Sequence, residues 1–188
     1  MKEYKLPIGC DVPETIILAD GDFPSHPLAL EWLRQCPYVV CCDGAANTYI
    51  RSGRMPEAIV GDGDSLLPDI KERYASLIHS EAEQETNDLS KAFRFCLSQE
   101  RKRITIMGAT GKREDHTIGN VSLLADYMEQ AEVSMMTDYG IFVPIREDSM
   151  FESYIGQQIS VFNMNSTALS AEGLAYPLSV FTNWWQGT

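Results

Sequence analysis

The chain has no run approaching the roughly 18 apolar residues that a membrane span requires, so no span is expected. Its start, Met1-Lys2-Glu3-Tyr4-Lys5, is followed by Pro7 and Gly9 and lacks the apolar core of a signal peptide. Cysteine is sparse and odd in number: Cys10, Cys36, Cys41, Cys42 and Cys96, with no C-x-x-C pair. That spacing suits neither a zinc site nor a disulfide framework, so the thiols read as reduced core residues of a cytoplasmic protein. Three histidines, His26, His79 and His116, are too scattered to suggest a metal cluster. Basic charge is short as well. Fifteen Lys and Arg face twenty-seven Asp and Glu, a net charge of −12, which disfavours general binding to nucleic acid or an anionic membrane. Repeats and low-complexity tracts are absent. What remains is 188 residues, 44% hydrophobic and 22% charged, the balance of a globular chain. That length fits one domain with a small second unit.

Apolar runs at Thr15–Asp20, Tyr38–Asp43, Ala58–Asp62, Ile104–Met107 and Val133–Thr137 read as buried strands. Helical spacing falls between them: Leu28, Trp32 and Leu33; Gly44–Arg51; Leu67–Leu77; Leu89, Ala92, Phe93, Cys96 and Leu97 behind Thr86 as N-cap; and Ile118, Val121, Leu124, Ala125 and Met128. Strands alternating with amphipathic helices predict an α/β domain with a parallel sheet covered on both faces. After about Asp138 the texture changes. Ile141–Ile145, Met150–Tyr154, Gln158–Asn163 and Leu169–Leu178 are short strand-like runs, predicting a small all-β, sandwich-like domain. The expected division is 1–138 and 139–188.

Ligands of open parallel sheets bind beyond the carboxyl ends of the strands, and acidic residues collect there in this sequence. Asp20 and Asp22 follow the first strand, Asp43 the second, Asp62 and Asp64 the third. An Asp after a strand is ordinarily a turn or cap residue, and that reading is preferred for Asp20 and Asp22. Gly61-Asp62-Gly63-Asp64-Ser65 supports either a Gly-Asp turn or two carboxylates converging on a hard cation. Asp88, in Thr86-Asn87-Asp88-Leu89, serves a helix dipole or the same acidic edge. Gly108-Ala109-Thr110-Gly111-Lys112-Arg113-Glu114-Asp115-His116 leads from a strand into a helix, an arrangement that brings backbone N–H groups and a guanidinium to a phosphate. It is neither a Walker loop nor a full G-x-G-x-x-G fingerprint. Asp115 and His116 cap the helix or touch nucleotide, and Asn120 lies one turn further on.

Cys42-Asp43-Gly44-Ala45-Ala46-Asn47, Ile59–Ser65, Thr86–Leu89 and Gly108–His116 with Asn120, in that order, resemble the thiamine pyrophosphokinase family. The resemblance implies an α/β nucleotide-binding domain, a C-terminal β-sandwich, a homodimer, and diphosphate transfer from MgATP to thiamine. It implies that Asp62, Asp64 and Asp88 surround Mg²⁺ and the triphosphate, with Asp43 in the same cleft. Gly108, Thr110, Gly111 and Arg113 become the phosphate cradle, while Asp115, His116 and Asn120 line the nucleotide side. Two departures stand out: Gly63 replaces a common aromatic, and Asn87 separates Thr86 from Asp88. The family's Ser-Asn-containing thiamine segment is expected after Thr188, leaving the thiamine contacts unassigned and the second domain incomplete. Rival readings are a D-x-D glycosyl- or nucleotidyltransferase, a Rossmann dehydrogenase using Gly108 and Gly111 with Asp138, and a non-catalytic nucleotide- or thiamine-binding module. Adjacent Trp184 and Trp185 would face opposite sides of a strand, which suits a second copy covering part of the β-rich tail.

Overall fold

A computed structural model describes residues 1–7, 11–81, 85–164, 169–176 and 178. The chain divides into two compact units, one of residues 1–2 and 7–149, the other of residues 3–6 and 150–188.

The larger unit is built on a seven-stranded sheet. Its strands are β2 (Thr15–Leu18), β3 (Val39–Cys42), β4 (Ala58–Val60), β5 (Ile78–His79), β6 (Arg103–Met107), β7 (Glu132–Met136) and β8 (Ile141–Phe142), in the spatial order β5-β4-β3-β2-β6-β7-β8. All neighbours are parallel except β7 and β8. The helices are α1 (Pro27–Gln35), α2 (Ala45–Arg51), α3 (Pro68–Arg73), α4 (Asp88–Ser98) and α5 (Glu114–Tyr127). A 3-10 turn, Ala75–Leu77, follows α3, so the predicted helix Leu67–Leu77 breaks at Tyr74.

Strand periodicity distributes the core. Ile16 and Leu18 pack with Trp32 of α1, Tyr49 of α2 and Ile70 of α3. Ile17, their opposite-facing neighbour, packs with Leu89 and Phe93 of α4 and Leu124 and Tyr127 of α5. Because helices cover both faces, a strand here has no solvated side. Cys41 and Cys42 are therefore both buried, one in each layer, where sequence alone required only one. Cys36, Cys41, Cys42 and Cys96 are free thiols, and burial raises Cys96 to about 12. Cys10 lies outside the described residues.

The chain runs outward from β2 through β3, β4 and β5, then returns to β6 on the other side of β2. That reversal opens a crevice at the carboxyl ends of β2 and β6.

In the smaller unit, the Tyr4 ring stacks on Phe151 with centroids 4.7 Å apart, and the Glu152 N–H donates to the Tyr4 carbonyl at 2.9 Å. These contacts belong to the pairing of β1 (Lys2–Tyr4), unforeseen from sequence, with β9 (Ser149–Phe151). Gln158–Asn163, expected as a strand, is irregular, as are the described residues of Leu169–Leu178. Alternation alone does not make a strand: its backbone groups need a partner ladder, and none forms at these residues. Trp184 and Trp185 lie outside the described residues. Among the described residues no helix is long and apolar enough to cross a membrane.

Candidate active site

Four segments meet at the carboxyl edge of the sheet. Asp43 immediately follows β3, and its residue is only 4% exposed. Its φ of +25° lies in the left-handed region, which Asp and Asn tolerate better than other side chains. One carboxylate oxygen, Oδ2, accepts from the Ser65 N–H at 3.0 Å; the other, Oδ1, is buried without a hydrogen-bond partner. Burial raises the Asp43 pKa, the Ser65 N–H partly counters this, and the charges of Asp88 and Asp62, with a side-chain approach of Asp62 outside hydrogen-bonding geometry, raise it again. Three carboxylates thus press on one another across the ends of β3, β4 and α4.

Gly61 makes this approach possible. A Cβ there would stand 2.8 Å from Asp43 Cβ and 3.3 Å from Asp88 Cγ. Beyond it, the Asp62 carboxylate accepts from the Asp64 N–H at 3.1 Å, closing the tight turn that carries both acids. Asn47 holds this turn from below, donating to the Ser65 carbonyl at 2.8 Å and accepting from the Leu67 N–H at 3.0 Å. Its position on α2, one turn beyond Asp43, is the only sequence signal for that role.

The N-cap of α4 is Asn87, not Thr86. Its side-chain oxygen accepts from the Ser90 N–H at 2.9 Å, whereas Thr86 Oγ1 accepts from Arg94. Asn87 is extended and reaches the third helical N–H, the usual capping geometry. Asp88 consequently becomes the first helical residue. Its Oδ1 receives Lys91 Nζ at 3.2 Å, and that lysine side chain is only 6% exposed. Its place in the sequence, between Ser90 and Ala92, carries no signal of that burial.

The glycine turn after β6 is tied to the loop after β2. The Gly21 N–H donates to the Gly108 carbonyl at 2.6 Å, and the Asp22 N–H donates to the Thr110 carbonyl at 2.8 Å. Asn120 Nδ2 takes the intervening Ala109 carbonyl at 2.8 Å. Three successive carbonyls are therefore turned into the protein. In a trans peptide the N–H opposes the C=O, so the Ala109 and Gly111 amides point away from the loop after β2 that takes the Gly108 and Thr110 carbonyls. Gly108 adopts φ +64°, and a Cβ there would lie 2.6 Å from the Ala19 carbonyl.

Asn120 is mainly a strut. Besides Ala109, it accepts from Asn87 Nδ2 at 3.2 Å, joining the glycine turn to the cap of α4. The α4–α5 contact continues with Phe93 stacked on Tyr127 at 3.9 Å and Ser90 Oγ 2.9 Å from the Tyr127 hydroxyl. Arg113 makes an exposed two-point pair with Asp115, whose carboxyl it holds down at about 2. His116 sits in the exposed first turn of α5. Asp20, expected to be a simple turn residue, accepts from Lys112 Nζ at 3.1 Å through its side chain and 2.9 Å through its carbonyl. Asp138 anchors the far side of the same loop, accepting from the Ser25 and His26 N–H groups at 2.9 Å.

Among the described residues, no group of three or more His, Cys, Asp or Glu side chains forms a ready-made metal site. The chemistry nevertheless fits a hard cation completed by a phosphate: Mg²⁺ commonly takes one or two carboxylates and fills its remaining positions with water and phosphate oxygens. The partnerless Oδ1 of Asp43, a carboxyl whose pKa the nearby Asp62 and Asp88 raise, is the observation supporting that fit.

An open, mostly parallel sheet with helices on both faces, a glycine turn at its topological switch point and acids at the carboxyl ends of the adjoining strands defines a doubly wound α/β protein. The family model described as "Thiamin pyrophosphokinase, catalytic domain" matches residues 29–136, and "Thiamin pyrophosphokinase, substrate-binding domain" matches residues 140–188. The chain belongs to the thiamin pyrophosphokinase family. Thiamine pyrophosphokinase 1 of Oryza sativa subsp. japonica is 30% identical over 129 residues, covering 55% of this chain and 49% of that protein. Thiamine pyrophosphokinase of Bacillus subtilis is 34% identical over 86 residues, covering 44% and 40% respectively. The chain thus spans about half the length of the curated relatives it matches. Among solved structures, the yeast thiamin pyrophosphokinase superposes with a TM-score of 0.58 at 18% identity, a likeness of fold, covering 72% of this chain and 63% of that one. The enzyme from Geobacillus thermodenitrificans gives a TM-score of 0.53 at 27% identity, covering 65% and 58%.

Proposed function

We propose that the protein is a thiamine diphosphokinase, transferring diphosphate from MgATP to the hydroxyethyl oxygen of thiamine. The carrying observation is the meeting of Asp43, Asp62 and Asp88 at the sheet edge that also presents the Gly108–Gly111 turn, within the span matched by the catalytic-domain family model. The proposed metal holders are Asp62, Asp64 and Asp88, with Asp43 behind them. Mg²⁺, when bound, neutralises phosphate charge and makes the β-phosphorus a better electrophile. The amides of Ala109–Gly111 and the Arg113 fork hold phosphate oxygens, with Asp115, His116 and Asn120 on the nucleotide side. The thiamine oxygen forms a bond to the β-phosphorus, and the bond from that phosphorus to the α,β-bridging oxygen breaks. AMP leaves with the bridging oxygen, and the hydroxyl proton passes to solvent or a carboxylate.

The proposed division is an ATP-binding catalytic domain over 1–138 and a β-rich, sandwich-like thiamine-binding and dimerisation domain over 139–188. The substrate-binding family match over 140–188 supports that second role. Tyr154, Ile155, Met164 and Tyr176 are each exposed apolar side chains that a second copy could cover. The proposal therefore includes a homodimer, with thiamine and ATP as small-molecule partners and no nucleic acid or membrane. The compartment proposed is cytoplasmic. Light scattering should report about twice 21.1 kDa, and a monomer with full thiamine-dependent turnover would remove the dimer from the proposal.

Phosphorus NMR of protein, MgATP and thiamine tests the reaction. Stoichiometric AMP and thiamine diphosphate are expected. ADP with thiamine monophosphate would overturn the diphosphokinase reading, and binding without turnover would make the chain a binding module.

A further inference from the structure

Lys91 is buried beside the acidic edge, with only 6% of its side chain exposed. A buried ammonium is costly unless paired. The pairing described is with Asp88 Oδ1 at 3.2 Å. Asp88 in turn raises the pKa of Asp43, whose Oδ1 is buried without a partner. The lysine is therefore the buried partner of an acid that itself acts on Asp43, while Asp88 keeps 35% of its side chain exposed. We propose that Lys91 is a positioning residue that acts as a tethered counter-ion: it holds Asp88 and offsets acidic charge when no divalent cation is bound, and it opposes cation entry electrostatically. This rests on the preceding reading of the acidic edge as a Mg²⁺–triphosphate site.

The geometry separates this role from core packing. Lys91 lies on α4 between buried Ser90 and Ala92, and Lys91→Met retains an unbranched side chain of similar length while removing the charge. Removing one partner of a buried pair is costly where the remaining charge is sealed from water, but the Asp88 side chain left by Lys91→Met is 35% exposed and can be solvated. A packing role alone predicts the same stability change with or without Mg²⁺. A counter-ion predicts a change that depends on the ion: without Mg²⁺ the variant loses stability because the acids repel, and with saturating Mg²⁺ most of that loss disappears.

Calorimetric Mg²⁺ titration and thermal unfolding test this on the full chain, using native protein, Lys91→Met, Asp88→Asn and the double variant. Lys91→Met is expected to bind Mg²⁺ about fivefold or more tightly, within the usual range of coupling between two ligands. It should also show the Mg²⁺-dependent stability pattern above. In the Asp88→Asn background, adding Lys91→Met should tighten Mg²⁺ binding by less than it does in the native background, because Asp88 is no longer shared between lysine and cation and only the direct ammonium–cation repulsion remains. Unchanged Mg²⁺ affinity in Lys91→Met, with equal loss of stability at all Mg²⁺ concentrations, would overturn the counter-ion role while leaving the site reading intact. If Lys91→Met fails to fold, Lys91→Gln provides the same comparison with a polar, neutral side chain. Native protein showing no Mg²⁺ response would overturn both readings.

Discussion

Replacing Asp43 with Asn should make the protein more stable and less active. The structure sets the sign. Asp43 is almost fully buried, its Oδ1 has no partner, and Asp62 and Asp88 lie close enough to raise its pKa. Asn keeps the shape, tolerates the φ of +25°, and retains an oxygen for the Ser65 N–H. Its Nδ2 replaces the partnerless oxygen with a donor facing two carboxylates. Removing an unsatisfied buried polar group in this way is worth about 1–3 kcal/mol. For a chain of this size that raises Tm by roughly 3–8 °C. The gain should depend on pH. A raised carboxyl pKa means that the native state holds its proton more tightly than the unfolded chain, so the penalty is present at pH 7. It fades as pH falls through the raised pKa towards the unfolded value of about 3.9. Thermal unfolding of both proteins without divalent metal, at pH 7 and again near pH 4, measures this. The stability gap should be open at pH 7 and nearly closed near pH 4. An Asn variant that unfolds below the native protein at pH 7 would refute the reasoning, as would a gap independent of pH.

Asp62→Asn and Asp64→Asn should each lower turnover by at least about 10²-fold, on the order of 3 kcal/mol of barrier, with Tm little changed because both side chains are exposed; near-native rates in both would leave Gly61–Ser65 a structural turn. Gly61→Ala should cost about 1–3 kcal/mol of stability and most of the activity, since its methyl would meet Asp43 Cβ at 2.8 Å; chemical denaturation with a parallel rate assay checks both. Arg113→Lys should raise the KM for ATP by about tenfold through loss of the planar fork, while an unchanged KM would place Arg113 outside the phosphate cradle.

The order of elements was legible because its determinants are local. The apolar runs at Thr15, Val39, Ala58 and Ile104 are strand-length, and Leu89, Ala92, Phe93 and Cys96 repeat at helical spacing, so strand–helix alternation follows from periodicity. Asp43, Asp62, Asp64 and Asp88 were legible as strand-end and helix-entry acids, and Gly108–Gly111 as a turn, because residue type and neighbouring pattern sufficed. Their mutual arrangement required the sheet. Residues 43, 62 and 88 come together only because β3 and β4 are neighbours and α4 packs across them, and the orphaned oxygen of Asp43 exists only once Gly61 admits that approach. Lys91 looked like an ordinary polar helix position because its burial depends on what covers α4. The bracing contacts of Asn120 were equally hidden, since the Ala109 carbonyl and the Asn87 amide reach it across the fold. The described residues of the runs from Gln158 onward form no strand for the converse reason: alternation is written in the sequence, whereas a ladder exists only where another backbone supplies its partners. Periodicity is a property of one segment and can be read from it; charge compensation, burial and pairing are relations between segments, and only tertiary structure decides them.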